Sequence, residues 1–381
     1  MKRIFFAGLL LISIRVCGGG YSMEFSGKRT KLFHNGRVVD FAGCAEAQMR
    51  RYPEMEARDM AKLAWQAACG AAHGVAGKER AWKSFLAEFE AAEPEDMPLF
   101  EVISPDYCRV NLRAWKKAGL PAKWLFNMFC ASAETLPESG KIFDDYIRQF
   151  RVLAGKKGAE LDEFMKTYRG GAIHHSAHYR KTYKPSYRLV SIRFITAFPV
   201  LLKAAELPQK PVRVIAIDGR AASGKTTLSR QLAVILDAGV IHMDDFFLPQ
   251  HLRTPERFAQ AGGNVHYERF KEEVLPLVSG KEAFSYRRFD CSRMAIGDKC
   301  RVDASPWRIV EGAYSLHPEF GNYADLKIFF DITPAEQIKR IRRRNGEKMA
   351  EIFAARWIPL EENYIRNTAP DKKADVVIGR E

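Results

Sequence analysis

The chain has 381 residues, of which 47% are hydrophobic, and 60 lysines and arginines against 46 aspartates and glutamates give a formal net charge of +14. This composition excludes a disordered chain, because the apolar residues suffice for the cores of two domains. The positive charge favours phosphates, nucleic acid or a membrane surface alike. The seven cysteines form no Cys-x-x-Cys pair, which is typical of the reduced thiols of a cytoplasmic protein.

Residues 1–22 have the pattern of a secretory signal, with Met1-Lys2-Arg3 before an apolar run at 4–14. Arg15 interrupts this run, and the run is too short to span a bilayer. The glycines at 18–20 are what a purine-rich ribosome-binding site would encode if it were translated. We therefore expect Met23 to be the true first residue, which the codons at 18–20 would test. The alternatives for this segment are a secretory signal or a single membrane anchor. With Met23 as the first residue, no association with a membrane is expected.

Residues 23–207 are predicted to form a mostly α-helical domain of unassigned role. Apolar residues recur at three- and four-residue spacing in the run from 45 to 69, which indicates an amphipathic helix. Further helices are predicted at 78–92, 110–118, 121–132, 141–153 and 158–168. The prolines of 208–211 indicate a linker to a second domain at 208–381.

The segment 170–188 interleaves histidines with tyrosines and basic residues. His174, His175 and His178 suggest a metal site, but no cysteine or carboxylate stands at ligand spacing, so solvated histidines are favoured. The tyrosines and basic residues suit phosphate contacts with base stacking, or packing on the other domain. Acceptor recognition, an anionic regulator and RNA all stay open for this segment.

A β-type apolar run at 214–217 leads into Gly219-x-x-x-x-Gly224-Lys225-Thr226 and then into a helical pattern. The glycines allow a tight turn whose N–H groups point at phosphates, next to a helix N-terminus. Lys225 is expected to contact the β- and γ-phosphates and Thr226 to bind Mg²⁺. The sequence therefore predicts a site for ATP, or GTP, with Mg²⁺. The predicted nucleotide-binding residues are Gly219, Ala221, Ala222, Ser223, Gly224, Lys225, Thr226 and Thr227.

A second short apolar run ends in Asp244-Asp245-Phe246-Phe247. Ligands bind where parallel strands meet their loops, and phosphoryl transfer to an alcohol uses a carboxylate to accept the proton. Here the chain resembles the uridine kinase and phosphoribulokinase branch of P-loop kinases, whose members carry Asp-Ser-Phe-Tyr or Asp-Asp-Phe-Phe at this place. The resemblance implies that Asp244 is the catalytic base and that Asp245 has a supporting, substrate or metal-binding role.

The same resemblance extends to the insert between 250 and 300. Tyr286 and Arg293 stand in register with residues that cradle the nucleoside in uridine kinases, which implies that they contact substrate. Cys291 replaces the histidine of that stretch, and because a thiol is a weaker donor than an imidazole, uridine itself is disfavoured. His266 and Glu268 are further candidates for hydrogen bonds to sugar hydroxyls.

Two later segments also resemble this branch. Glu311, at the end of an apolar run, corresponds to a residue that faces the phosphates and the metal. The helix predicted to begin near Pro334 resembles the lid, which implies that Arg340 and Arg343 stabilise charge on the transferred phosphoryl group.

The predicted fold is thus α/β, a P-loop kinase doubly wound parallel sheet at 208–381, preceded by a mostly α-helical domain. The expected function is ATP-dependent phosphorylation of a small-molecule hydroxyl acceptor. Candidate acceptors are uridine or cytidine, nicotinamide riboside, and pantothenate-like or sugar-phosphate alcohols. The alternative is a nucleotide-driven switch or RNA-associated ATPase with the N-terminal domain as effector. Asp244 with Tyr286 and Arg293 favours the kinase, because a water-activating ATPase needs no acceptor pocket. ATP versus GTP and the oligomeric state stay open.

Overall fold

The computed structural model describes residues 10–16, 19–26, 29–71, 77–133 and 139–379, without the side chains of 10–31 and 139. The described residues divide into two compact units. The P-loop unit comprises those within Met1–Val16, Gly20–Arg29 and Thr196–Glu381, and the second unit those within Cys17–Gly19 and Thr30–Ile195. The signal-like segment lies partly outside the described residues, at 1–9 and 17–18.

The first strands among the described residues are β1 (Leu10–Val16) and β2 (Gly19–Ser26). The elements of the second unit follow in chain order. They are β3 (Arg29–His34), β4 (Arg37–Val38), α1 (Phe41–Arg51), α2 (Ala57–Cys69), α3 (Lys78–Ala91), β5 (Phe100–Val102), β6 (Tyr107–Asn111), α4 (Leu112–Lys117), α5 (Ala122–Ala133), α6 (Ser139–Leu153), α7 (Lys157–Thr167), α8 (Ala177–Tyr183) and β7 (Tyr187–Ser191).

The helices predicted between 78 and 168 correspond to α3 to α7. The run from 45 to 69 belongs to two helices, because α1 ends at Arg51 and Pro53 occupies the turn before α2. The sequence did not predict the three-stranded antiparallel sheet in the order β5-β6-β7, in which Cys108 pairs with Val190. The segment 170–188 contains α8 and leads into β7, so its alternating tyrosine and basic residues in part reflect a strand.

The P-loop unit continues from residue 196 with helices and strands that alternate along much of the chain. They are α9 (Phe198–Glu206), β8 (Arg213–Gly219), α10 (Lys225–Leu236), β9 (Gly239–His242), α11 (Pro255–Ala259), α12 (Tyr267–Glu273), β10 (Phe284–Asp290), β11 (Ala295–Val302), β12 (Trp307–Glu311), β13 (Leu326–Phe330), α13 (Pro334–Asn345), α14 (Glu347–Ile352), α15 (Ile358–Thr368), α16 (Pro370–Lys373) and β14 (Val376–Ile378).

The centre of this unit is a five-stranded sheet in the order β14-β13-β8-β12-β9, in which every pairing is parallel. The predicted α/β parallel sheet is therefore confirmed. The side chains at 214–217 and 309–310 are fully buried, as expected for inner strands covered on both faces. Glu311 pairs with Ile217 and with His242, so the carboxyl ends of β8, β9 and β12 lie at one edge of the sheet.

The insert after β9 folds back as the antiparallel hairpin β10–β11. Its Tyr286 is buried and stacks on Phe246, with ring centroids 5.3 Å apart, while Phe270 contacts Phe246 edge-on at 5.1 Å. The packing of these three rings holds the turn after β9 in place. Across the described ranges, every helix is too short or too polar to cross a membrane.

Replacing Ile309, which is fully buried in the inner strand β12, tests the sheet core. We expect Ile309→Ala to lower the free energy of unfolding of this unit by about 2–5 kcal/mol, because it loses burial and leaves a cavity. Amide hydrogen exchange of residues 214–217 measures the opening of this unit alone. The control is Val377→Ala on the edge strand β14, which is 51% exposed and is expected to change stability by at most about 0.5 kcal/mol. Equal effects of both variants would contradict the assigned core.

Candidate functional site

The predicted phosphate-binding loop connects β8 to α10, and Gly224 is the N-cap residue of that helix. Gly219 has φ +134° and Gly224 has φ +122°, conformations that residues with a Cβ rarely adopt. A Cβ on Gly219 would also overlap the backbone of Phe330 on β13. The two glycines of the motif are therefore required by the backbone geometry of this loop.

Lys225 lies in the first turn of α10, with only 8% of its surface exposed. Its Nζ donates hydrogen bonds to the carbonyl oxygens of Gly219 (2.7 Å) and Arg220 (2.8 Å). The ammonium is thus held against the loop at the positive end of the helix dipole. This arrangement favours a phosphate group at the loop.

Glu311 at the end of β12 faces this loop. One of its oxygens lies 3.2 Å from the Thr226 hydroxyl, and the other lies 2.6 Å from Nδ1 of His242 at the end of β9. The hydrogen bond to Glu311 raises the pKa of His242, although burial opposes the rise. The oxygens of Thr226 and Glu311 are therefore adjacent, and their role as Mg²⁺ ligands stays a prediction.

No group of three or more histidine, cysteine or carboxylate side chains in the described part of the chain could hold a metal ion by itself. A hydroxyl and one carboxylate nevertheless suit Mg²⁺, which keeps several waters and binds through one or two carboxylates together with substrate phosphates. The donor set at Thr226 and Glu311 therefore fits a magnesium ion that arrives with a nucleotide.

The two neighbouring aspartates after β9 have different environments. Asp244 is exposed to a cavity beside the loop, and partial desolvation there, followed by the charge of Glu311, raises the pKa of its carboxyl. Asp245 is 5% exposed and accepts a 2.8 Å hydrogen bond from the hydroxyl of Tyr286, which is 1% exposed. Neither Asp245 nor Tyr286 is among the described residues that line the cavity. Their contact with substrate stays a prediction, and their buried hydrogen bond ties the β10–β11 hairpin to the turn that carries Asp244.

The cavity has a volume of about 300 Å³, at the lower end of the range for small-molecule sites. Polar and aromatic side chains both contribute to its walls. The polar residues include Lys225, Thr226, Asp244, Glu311, Arg344 and Glu361, and the aromatic ones are Phe247, Tyr314, Phe353 and Trp357. Such a lining suits an organic molecule that carries phosphates or hydroxyl groups.

Helix α13, predicted to act as a lid, presents three of its arginines differently. Arg340 is buried and donates to the carbonyl oxygen of Ser223 (3.2 Å), so it braces the loop backbone. Arg343 is exposed and is not among the described lining residues. Arg344 is exposed as well, but it lines the cavity, where partial desolvation lowers its pKa while the charges of Asp244 and Glu361 oppose that effect. Arg344 was not predicted from the sequence, although its i,i+4 spacing from Arg340 was a signal.

Glu361 on α15 was not predicted either. Its carboxylate is 6% exposed, accepts from the backbone N–H of Ala221 (3.1 Å to each oxygen) and accepts from Nε2 of Gln337 (2.8 Å). Burial raises the pKa of this carboxyl. The loop is therefore held by Arg340 on one side and by Glu361 on the other.

Asp218, just before the loop, anchors the segment that follows β12. It is 1% exposed and accepts from the N–H groups of Tyr314 (2.8 Å) and Leu316 (2.9 Å) and from the hydroxyl of Tyr364 (2.8 Å). These bonds join β8, the loop after β12 and α15. The importance of Asp218 was not predicted from the sequence, because its partners are distant in the chain.

The remaining predicted substrate residues are not among the described residues that line the cavity. Burial lowers the pKa of His266, and Glu268 forms an ion pair with Arg257. Arg293 is exposed in the turn of the β10–β11 hairpin. The neighbouring Cys291 is also exposed. Substrate contacts by His266, Glu268 and Arg293 stay predictions.

The sheet order and the loop at the end of its central strand define a P-loop nucleotide-binding fold. No family model matches this sequence, and no curated protein matches it. Among solved structures, the chain is similar to a protein named as a possible uridine kinase from Bacillus stearothermophilus, with 22% identity over 49% of this chain and 96% of that chain, at a TM-score of 0.38. It is also similar to a protein named as a candidate fructose transport system kinase from Silicibacter, with 23% identity over 49% of this chain and 98% of that chain, at a TM-score of 0.39.

Replacing Glu361 tests whether α15 holds the loop. We expect Glu361→Ala to destabilise the unit by about 1–3 kcal/mol, because it leaves the Ala221 N–H and the Gln337 amide without their acceptor. The amide of Ala221 should exchange faster with solvent. The matched control is Glu351→Ala, which removes an exposed glutamate of the neighbouring helix. Unchanged exchange at Ala221 in Glu361→Ala would show that the loop does not depend on this contact.

Proposed function

We propose that this protein is an ATP-dependent kinase that transfers a phosphoryl group to a hydroxyl of a small molecule. The observation that supports the proposal is that Lys225, Thr226, Asp244 and Glu311 line one cavity at the carboxyl ends of β8, β9 and β12. Phosphoryl transfer needs a phosphate cradle, a metal-binding pair and a proton acceptor in one place. These four side chains supply all three.

In this proposal the loop binds the phosphates of ATP through its N–H groups, and Lys225 contacts the β- and γ-phosphates. Thr226 and Glu311 would hold Mg²⁺, which would neutralise phosphate charge during the reaction. Asp245 was also predicted as a metal ligand, but its hydrogen bond to Tyr286 favours a positioning role.

Asp244 acts as the general base. Its carboxylate accepts the proton of the acceptor hydroxyl while that oxygen forms a bond to the γ-phosphorus and the bond to the leaving ADP breaks. Its raised pKa supports this role, because a base is most effective when its pKa approaches the working pH. Adjacent Asp245 cannot replace it, since its carboxylate is buried against Tyr286.

Charge on the transferred phosphoryl group is stabilised by Lys225 and by an arginine of α13. Arg344 is the best placed, because it lines the cavity. Arg340, which bonds to the loop backbone, orients the loop. Arg343 stays a candidate for contact with the nucleotide.

The acceptor is proposed to be a nucleoside or a related alcohol. Phe247 and Trp357, whose ring centroids are 6.2 Å apart, provide an apolar wall for an organic group beside Asp244. Cys291, at the position where the resemblance implies a histidine, offers a weaker hydrogen bond than an imidazole would. This favours acceptors other than uridine.

We expect Asp244→Asn to lower acceptor-dependent kcat by about 10²–10⁴-fold, because the amide cannot accept the proton. ADP release with Mg²⁺ and ATP, measured against a panel of nucleosides and related alcohols, gives this rate. ATP affinity should stay within about threefold of the parent, because the phosphate contacts remain. Asp298→Asn, an exposed residue of β11, is the matched control. ATP turnover that ignores every acceptor, or that RNA increases, would instead support the switch or RNA-associated ATPase.

We also expect Thr226→Val to abolish most of the Mg²⁺ dependence of ATP binding. Valine keeps the shape of threonine but removes the oxygen that faces Glu311. Calorimetric titration of ATP with excess Mg²⁺ and with chelator should give two affinities that differ in the parent and nearly coincide in the variant. Thr254→Val, at the N-cap of α11, is the control. An undiminished Mg²⁺ effect in Thr226→Val would place the ion elsewhere.

A further inference from the structure

The second unit contains a cavity of about 750 Å³ that the kinase proposal does not use. Its walls come from α2, α3, α4, α5, α8 and β7, and they include part of the histidine- and tyrosine-rich segment at 170–188. Positive charges outnumber negative ones among its lining residues. The basic ones are Lys62, Arg113, Arg180, Lys184 and Arg188, and the acidic ones are Glu88 and Glu93.

Two of these cations are already paired. Arg188 forms an ion pair with Glu88 (2.7 Å), and Arg113 forms one with Glu95 (2.8 Å). Within the described ranges, no ion pair involves the other three cations, Lys62, Arg180 and Lys184. Lys62 lies on α2, Arg180 lies on α8, and Lys184 directly follows α8. Cations that converge on a concave site without carboxylate partners favour an anionic ligand.

Lys62 has the most restricted position of the three. Its Nζ donates to the carbonyl oxygen of Ile173 at 3.0 Å, which leaves further N–H groups for a ligand. Burial, followed by the positive charge of Arg109, lowers the pKa of Lys62 to about 8. An anion bound in the cavity would stabilise the charged ammonium of Lys62. The position of Lys62 therefore favours a negatively charged ligand.

A buried hydrogen-bond network forms the floor of the cavity. Asp59, which has no exposed surface, accepts from Nδ1 of His175 at 2.9 Å, and Nε2 of His175 lies 2.7 Å from the hydroxyl of Tyr187. Because the ionised carboxylate only accepts, the imidazole proton is on Nδ1 and Tyr187 donates to Nε2. Nε2 of Gln66 donates to the same hydroxyl at 3.1 Å. The aromatic ring of Tyr187 is thereby fixed in the cavity wall.

We propose that this cavity binds a small molecule that carries a phosphate or carboxylate group and an apolar part. Lys62, Arg180 and Lys184 contact the anionic group, and the rings of Tyr187 and Phe129, which also line the cavity, contact the apolar part. The volume lies within the range of small-molecule sites. A concave site favours such a ligand over RNA, which is bound along an extended basic stripe.

The test uses the full chain with Lys225→Ala, a substitution that weakens phosphate binding at the P-loop. Phenyl phosphate and benzoate are titrated separately by calorimetry, and the tighter of the two identifies the anionic group. We expect one molecule of the preferred probe to bind per chain. Lys62→Met and Arg180→Gln should each weaken binding by about tenfold or more, as expected for a charge-assisted hydrogen bond. Lys181→Gln should leave the affinity unchanged.

Lys181 is the matched control because it is exposed on the same helix, α8, and does not line the cavity. Arg180 is also exposed, so Arg180→Gln keeps the test decisive even if Lys62→Met disturbs folding. Absence of binding by both probes, or equal affinity of Arg180→Gln and Lys181→Gln, would overturn the proposal. Binding of single-stranded RNA in place of both probes would also overturn it. None of these outcomes bears on the kinase proposal, which the Asp244 variant tests separately.

Discussion

The geometry of the P-loop site depends on the hydrogen bonds that the buried carboxylate of Asp218 accepts. These bonds come from the chain after β12 and from Tyr364 on α15, so one side chain joins three elements that are distant in the sequence. Burial raises the pKa of Asp218, while the donors around it favour the ionised form. The segment that begins three residues after Glu311 is thereby fixed against the end of β8.

A second set of contacts holds the phosphate-binding loop from outside. Arg340 donates to the loop carbonyls, and Glu361 accepts from a loop N–H. The loop therefore keeps its shape through groups of opposite charge on α13 and α15, and both helices also contribute a side chain to the cavity, Arg344 and Glu361. Such external support limits the reorganisation that catalysis requires.

The sequence predicted the parts of the site that local patterns specify. The loop, the parallel strands and the placement of Glu311 and Asp244 follow from short motifs and from the direction of parallel strands. The burial of Asp245 was not predicted from local patterns, because it depends on Tyr286 in a hairpin that is distant in the chain. Arg344 lines the cavity and Arg343 does not because of the rotation of α13 about its axis. Tertiary packing determines that rotation, and the sequence of the helix alone does not. In the second unit, β5, β6 and β7 are short, and β7 lies about 75 residues after β6, so no periodic signal joined them.

Gly219 has a consequence for the meaning of the motif itself. Its positive φ and the overlap that a side chain would make with Phe330 arise from the packing of β8 beside β13, independently of any ligand. Loss of activity in a variant at this position would therefore report damage to the sheet as well as to phosphate binding. A descendant of this chain that had abandoned nucleotides altogether would still be expected to keep this glycine. A glycine at the first position of the motif therefore indicates the sheet architecture. Lys225 and Thr226 are the positions that indicate phosphate binding.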